Sequence, residues 1–274
     1  MTPSLSIYLS HVRVDLCCSE PQVAEAMRRT WGGCGTPLVQ VEERTTYEVR
    51  SGPDYEILQD GTPLARARRP DGVISLLDGS LYDRLLGWHS PGRVVLHAAC
   101  IARDGQGVLL VGPSGSGKST LAMTAVRRGW TYLTDEIAVT DGWRVWGIAR
   151  AIQFDPVEIG TPLIPRLAGT AMWRWPGDDA EGGELAVPFF APPQGRLAGS
   201  PVPAANVAVV QIGQGAGARL LACSPVETLG ALHEASYGVP DLDLGGLLGA
   251  GRGWSLSWQE PEAALELLEG AMTL

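Results

Sequence analysis

The sequence predicts an α/β protein built on a strand-rich mixed sheet, with a small β-rich region ahead of it. Three observations carry that prediction. A phosphate-loop pattern, Gly112-Pro-Ser-Gly-Ser-Gly117-Lys118-Ser119, lies between the apolar run "VLLV" and the helical segment "STLAMTAVRR". The apolar run is preceded by "VVLHAACIA" and the turn "DGQG", so the strand feeding the loop arrives from a hairpin and has an antiparallel neighbour. After the helix, "WTYLTDEIAVTDGWRVWGIA" reads again as short strands broken by an Asp-Gly turn.

Composition bounds the rest. With 45% hydrophobic and 19% charged residues over 274 positions, the chain can bury a core and is not disordered. A net charge of −9 speaks against a basic face for nucleic acid and leaves no polybasic patch for anionic lipid. There is no apolar run long enough to span a membrane, and "MTPSLSIYLSHVRVDLCC" lacks the basic start and long apolar core of a secretion signal. The five cysteines are odd in number and show no C-x-x-C spacing, which fits reduced thiols in a cytoplasmic protein and no zinc site.

Taken in order, residues 1–90 read as a β-rich N-terminal region. "TTYEVRS", "DYEILQ" and "PLARARR" are strand-like, separated by "GP" and "DGTP". "SLLDGSLYDRLLGW" has Leu77, Leu81, Leu85 and Leu86 near helical spacing, with Asp78 or Ser80 as candidate N-cap. "HSPGR" marks the boundary, and residues 91–274 form the phosphate-loop domain. Within it, residues 176–206 are rich in Gly, Pro and acids and read as surface loops, either plain connections or a lid or partner-binding segment. "VAVVQIG" is a buried strand, "SPVETLGALHEAS" a capped helix, and "DLDLGGLLGAGRG" a glycine-heavy mobile stretch. "EPEAALELLEGAM" closes the chain as a helix with Pro261 in its first turn.

The loop pattern has a specific physical meaning. Its glycines let successive backbone N–H groups curl around phosphate oxygens, and the following helix points its positive end at them. Gly112, Pro113, Ser114, Gly115, Ser116, Gly117, Lys118, Ser119 and Thr120 form the cradle. Lys118 would reach the outer phosphate oxygens, and the Ser119 hydroxyl would face Mg²⁺. The helix presents Leu121, Ala122, Ala125 and Val126 on one face, carries Arg127 and Arg128 in its last turn, and ends at Gly129.

Asp135 and Glu136 follow the strand "TYLT", seventeen residues after Lys118. A carboxylate there can hold Mg²⁺, and an adjacent one can take a proton from an attacking hydroxyl. A lone strand histidine such as His97, on the face shared by Val95 and Ala99, is by itself more often a satisfied core residue.

Together, "LHAA…GPSGSGKST…RGW…TDE" resembles the HPr kinase/phosphorylase family, and more closely its short relatives found beside peptide-modifying enzymes. His97, Lys118, Ser119, Arg128-Gly129 and Asp135-Glu136 match that family in order and spacing, over residues 93–155. The resemblance implies a fold related to phosphoenolpyruvate carboxykinase, ATP and Mg²⁺ as cofactors, and phosphorylation of a serine on a peptide or small protein. It implies a place for His97 near the transferred phosphate, with one acid of the pair as base and the other on the metal. It also implies that an arginine after the next strand, best matched by Arg150, approaches the phosphates, and it carries the expectation of a homo-oligomer. Two features depart from the family. The second acid is Glu136 rather than Asp, which leaves the split of roles open, and the Pro-Gly-Arg-Asn-rich segment that serves phosphorolysis is absent. The expected activity is therefore a serine kinase without phosphorylase activity. A small-molecule kinase and a non-catalytic nucleotide sensor are the alternatives that the same loop permits.

Overall fold

The computed structural model describes residues 3–87, 92–153, 157–158, 171–176, 184–215, 217–237, 244–248 and 252–272. The chain divides into two units, Met1–Asp83 with Arg150–Pro192, and Arg84–Ala149 with Pro193–Leu274. The boundary read near residue 90 thus sits close to the first division, while the segment from Arg150 to Pro192 groups with the N-terminal unit.

In the first unit, β1 (Leu5–Leu9) and β2 (Val12–Cys18) form a hairpin. β2 then runs parallel to β3 (Glu43–Arg50), with α1 (Pro21–Trp31) as the crossover. Pro21 suits the first helical turn because its missing N–H would have no partner there. Val23, Met27, Thr30 and Trp31 turn one face of α1 inward. β4 (Tyr55–Gln59) and β5 (Thr62–Ala67) complete a five-stranded sheet in the order β1-β2-β3-β4-β5. Asp60 and Gly61 join them with φ of 49° and 81°, the I′ geometry whose twist matches that of the strands. The region is therefore not simply β: α1 was not foreseen, and a second helix begins earlier than expected.

That helix, α2 (Pro70–Gly87), corrects the N-cap assignment. Asp78 and Ser80 lie in its interior. Val73, Leu77 and Leu81 are its buried stripe, and the periodic leucines visible in sequence mark only its later turns. The Asp78 carboxylate instead accepts from Trp31 Nε1 at 3.3 Å and from Arg150 Nη1 at 2.6 Å.

The second unit holds a nine-stranded mixed sheet. β6 (Val94–Arg103) and β7 (Gln106–Val111) make the expected hairpin, turning at Asp104-Gly105. α3 (Lys118–Arg127) follows the phosphate loop and leads to β8 (Thr131–Thr134), β9 (Ile137–Thr140) and β10 (Arg144–Gly147). β8 and β9 both pair antiparallel with β6, and β10 pairs with β9. Leu121, Ala122, Ala125 and Val126 of α3 are buried as their spacing predicts, and Gly129 ends the helix at φ 98°.

Two short strands, β11 (Ile152–Gln153) and β12 (Val157–Glu158), and the longer β13 (Ala171–Pro176) all pair with β14 (Glu184–Phe190) in the first unit. This corrects the loop reading of 176–206. The nearly continuous apolar run "ELAVPFF" lies between Gly-, Pro- and acid-rich flanks, and composition averaged over the whole stretch hides it. Residues 177–183 lie outside the described residues.

The second unit resumes with β15 (Val202–Pro203), β16 (Val207–Gln214), β17 (Arg219–Ala222), α4 (Pro225–Ala235), α5 (Gly245–Leu248), β18 (Gly253–Trp258) and α6 (Pro261–Met272). The strand order is β15-β10-β9-β6-β7-β16-β18-β17, with β8 also on β6. β7, β16 and β18 are mutually parallel neighbours. Leu96, Ala98, Cys100, Leu109, Val111 and Val209 fill the core. α4 begins with a capping box in which Ser224 and Glu227 satisfy each other's backbone. In the stretch read as mobile, Gly245–Leu248 forms a helical turn with Leu247 buried, while 238–243 and 249–251 lie outside the described residues. All five cysteines are free thiols. Among the described residues no helix is long and apolar enough to cross a membrane.

One carboxylate ties the closing helix to the helix behind the loop. Glu269 on α6 accepts from Arg103 Nη1 at 2.6 Å, Arg128 Nη2 at 3.1 Å and the indole of buried Trp130 at 3.2 Å. Glu269→Ala leaves the buried indole N–H without its acceptor. The expected loss is about 1–2 kcal/mol, read as a lower midpoint in denaturant at unchanged slope.

Candidate functional site

β7 carries the chain straight into the loop. Gly112 has φ 150°, Gly115 74° and Gly117 100°, so the backbone bends through conformations that side chains disfavour. Gly117 also has no room for a Cβ, which would stand 2.4 Å from Cζ2 of Trp258 at the end of β18. Pro113, Ser114 and Gly115 are exposed, and Ser116 N–H donates to Pro113 O at 3.2 Å to close the turn. α3 starts at Lys118 with left-handed Gly117 as its cap and no capping side chain. Its first N–H groups are thus left for a ligand. Thr120 is half-buried in that first turn.

Lys118 is folded back across the loop. It is 6% exposed, and its Nζ donates to Gly112 O at 2.8 Å and Pro113 O at 3.1 Å. Burial pulls its pKa below the ordinary lysine value, and the charges of Glu136 and Asp135 oppose that fall. The Ser116 hydroxyl is buried and makes no hydrogen bond, as is the Trp258 indole nitrogen. Unmade hydrogen bonds of this kind are costly, and a phosphate seated in the loop is a ready acceptor for a neighbouring hydroxyl. The residues present fit a nucleotide phosphate.

The acid pair sits where β8 turns into β9. The Thr134 hydroxyl accepts from the backbone N–H of Glu136 at 3.3 Å and of Ile137 at 3.1 Å, which fixes the corner. Asp135 is 4% exposed and reaches the loop: its Oδ2 accepts from the Ser119 hydroxyl at 3.3 Å. Adjacent oxygens around an octahedral Mg²⁺ stand about 3.0 Å apart, so the pair fits two neighbouring ligands of that ion. Among the described residues there is no cluster of three or more His, Cys, Asp or Glu able to hold a metal. The other Asp135 oxygen accepts from the Tyr132 hydroxyl at 2.9 Å.

His97 lies in β6 opposite Ile137, half-buried, with its ring 6.1 Å from that of Tyr237. The next residue, Ala98, donates its N–H to Glu136 O at 3.0 Å. Burial lowers the His97 pKa, Lys118 lowers it further, and Glu136 works the other way. Tyr237 N–H donates to Val95 O at 2.9 Å, so the chain leaving α4 lies along β6 at this point.

The second unit thus brings together the loop, Lys118, Ser119, Asp135, Glu136 and His97. Arg150 belongs to the first unit, where it is 8% exposed and ion-paired with Asp78. Sequence reasoning missed Tyr132, Tyr237 and Trp258. Tyr132 stands three residues before Asp135 inside a strand, where its sequence gives no sign of a role, and Trp258 and Tyr237 are far away in sequence and carry no local signal. No known protein-family model matches the chain, and no curated protein is significantly similar to it.

A depressed His97 pKa has a definite sign in stability. As pH falls below 6.5, the unfolded chain binds a proton at this residue before the folded one does, so folding weakens. His97→Asn is expected to lose less stability than the unaltered chain between pH 6.5 and pH values below the folded His97 pKa. Denaturant midpoints of the two proteins across that range check it, and parallel curves would refute it.

Proposed function

We propose that the protein is an ATP-dependent kinase that uses Mg²⁺ to transfer a phosphoryl group to a serine hydroxyl of a peptide or small protein. The observation that carries this reading is the Ser119–Asp135 contact at the mouth of the loop, with Glu136 following Asp135 and His97 beside Glu136. A loop that only held phosphate would have no need of the acids and the imidazole. Bound ATP with its metal would supply the phosphoryl group and spread its charge over metal-bound oxygens.

The chain's own groups account for the rest. The loop N–H groups and the start of α3 hold the phosphates. Lys118 exchanges its two loop carbonyls for phosphate oxygens. Ser119 and one carboxylate hold the metal, the other carboxylate takes the acceptor's hydroxyl proton, and neutral His97 orients the group in transfer. A cytoplasmic setting, where ATP is at hand and thiols stay reduced, belongs to the same proposal. Arg150 enters this scheme only by its resemblance to the family's phosphate-approaching arginine.

The test is γ-phosphate-labelled ATP with Mg²⁺, the purified chain and extract of the source cells. Label is expected on the serine of a peptide or protein. Lys118→Ala is expected to lower transfer by about 10²-fold or more, since a preorganised charge donor is removed. Label recovered on a small metabolite would replace this reading with a small-molecule kinase. ATP bound but never cleaved, with any acceptor, would make the chain a nucleotide sensor.

A further inference from the structure

We infer that Tyr132 is a positioning residue that commits Asp135 to the metal and leaves Glu136 as the group facing the acceptor hydroxyl. This rests on the kinase reading above and deepens it. Tyr132 is wholly buried in β8. Its backbone is fixed on both sides, by pairing with Ile101 of β6 and by the Ala198 N–H, which donates to Tyr132 O at 3.0 Å. The ring therefore cannot swing away, and its hydroxyl holds Asp135 Oδ1 at 2.9 Å inside the protein.

With that oxygen held, the carboxylate has one orientation. Oδ2 points at Ser119, where a metal would bridge the two oxygens. An acceptor hydroxyl would have to displace either Tyr132 or the metal to reach Asp135. The Tyr132 hydroxyl donates to Asp135, and Glu136 is placed by other contacts. Glu136 is half-buried, its backbone N–H is turned by Thr134, and its carbonyl is bound to the strand residue next to His97. On this reading Asp135 faces the loop and would face the metal, while Glu136, beside the strand of His97, would face the acceptor. The fold brings the Tyr132 hydroxyl onto the Asp135 carboxylate.

The test is binding of a fluorescent N-methylanthraniloyl ATP, first in chelator and then titrated with Mg²⁺. For Tyr132→Phe, affinity without metal is expected to stay within about twofold of the unaltered chain. The Mg²⁺ concentration giving half the full enhancement is expected to rise about 10-fold or more, the usual cost of losing a partner behind a metal ligand. In an Asp135→Asn background, adding Tyr132→Phe is expected to change nothing further, because the two act as one unit. That double variant, which has no carboxylate to strand, carries the comparison if the single variant unfolds. Glu136→Gln should keep the Mg²⁺ response and lose transfer of labelled phosphate.

Tyr132→Phe titrating like the unaltered chain, or weakening metal-free binding equally, would overturn the inference. So would an additive effect in the Asp135→Asn background. Nucleotide binding that ignores Mg²⁺ would overturn it while leaving the loop a nucleotide site. No binding at all by the unaltered chain would overturn the kinase reading itself.

Discussion

Everything at the site hangs on the pairing of β6. One edge of this strand hydrogen-bonds β7 from Ala98 to Arg103 and so aims the phosphate loop. The other edge bonds β9 along Val94 to His97 and β8 along Cys100 to Ala102, the latter pairing shifting register between Cys100 and Ile101. The corner between β8 and β9, where Asp135 and Glu136 sit, is thus built across the strand that carries His97. A slip of one residue would turn His97 to the opposite face and move the acids away from the loop. Register is strongly held because Leu96, Ala98 and Cys100 on the inner face have no room elsewhere.

The mixed character of the sheet follows from the same strand. β7 has an antiparallel neighbour on one side and the parallel β16 on the other. β6 thus stands between the loop strand and the acid strands, which spaces the two groups by the width of one strand. The approach of Asp135 to Ser119 then needs the corner to fold back over β6, and the Thr134 hydroxyl, holding two N–H groups, supplies that bend. Gly147 fits beneath it with no room for a side chain, since a Cβ would meet Leu133 O at 2.6 Å. A small residue two strands away is part of what places the acids.

Much of this was legible in the sequence, and the reasons differ by element. The loop is readable because its chemistry requires fixed residue types at fixed spacing. The β6–β7 hairpin is readable because an Asp-Gly step between two apolar runs leaves few alternatives. The acid pair is readable only through its distance from Lys118. What stayed hidden is set by tertiary contacts. α1 has a conventional amphipathic face, yet its start is marked by Pro21 alone, without a capping side chain. The start of α2 at Pro70 is hard to read because, among the described residues, its first two turns bury Val73 and Ile74 alone. Trp258 reaches Gly117 across strand pairings that join distant stretches of chain, so no local pattern announces it.

The charges at the site also constrain how a nucleotide would enter it. Lys118 is a buried cation at the loop, and the two carboxylates of Asp135 and Glu136 outweigh its charge. His97 adds little positive charge near neutral pH, because burial and Lys118 both work against its protonation. A bare triphosphate would therefore meet two carboxylates with one lysine to offset them, in surroundings where like charges repel more strongly than in water. Ser119 and Asp135 would hold a divalent ion, whose charge would offset the nearer carboxylate and favour the phosphate oxygens. The lysine would also have to leave its two carbonyl partners, Gly112 and Pro113, to reach those oxygens. On the kinase reading proposed above, metal and phosphate arriving together would remove both obstacles at once.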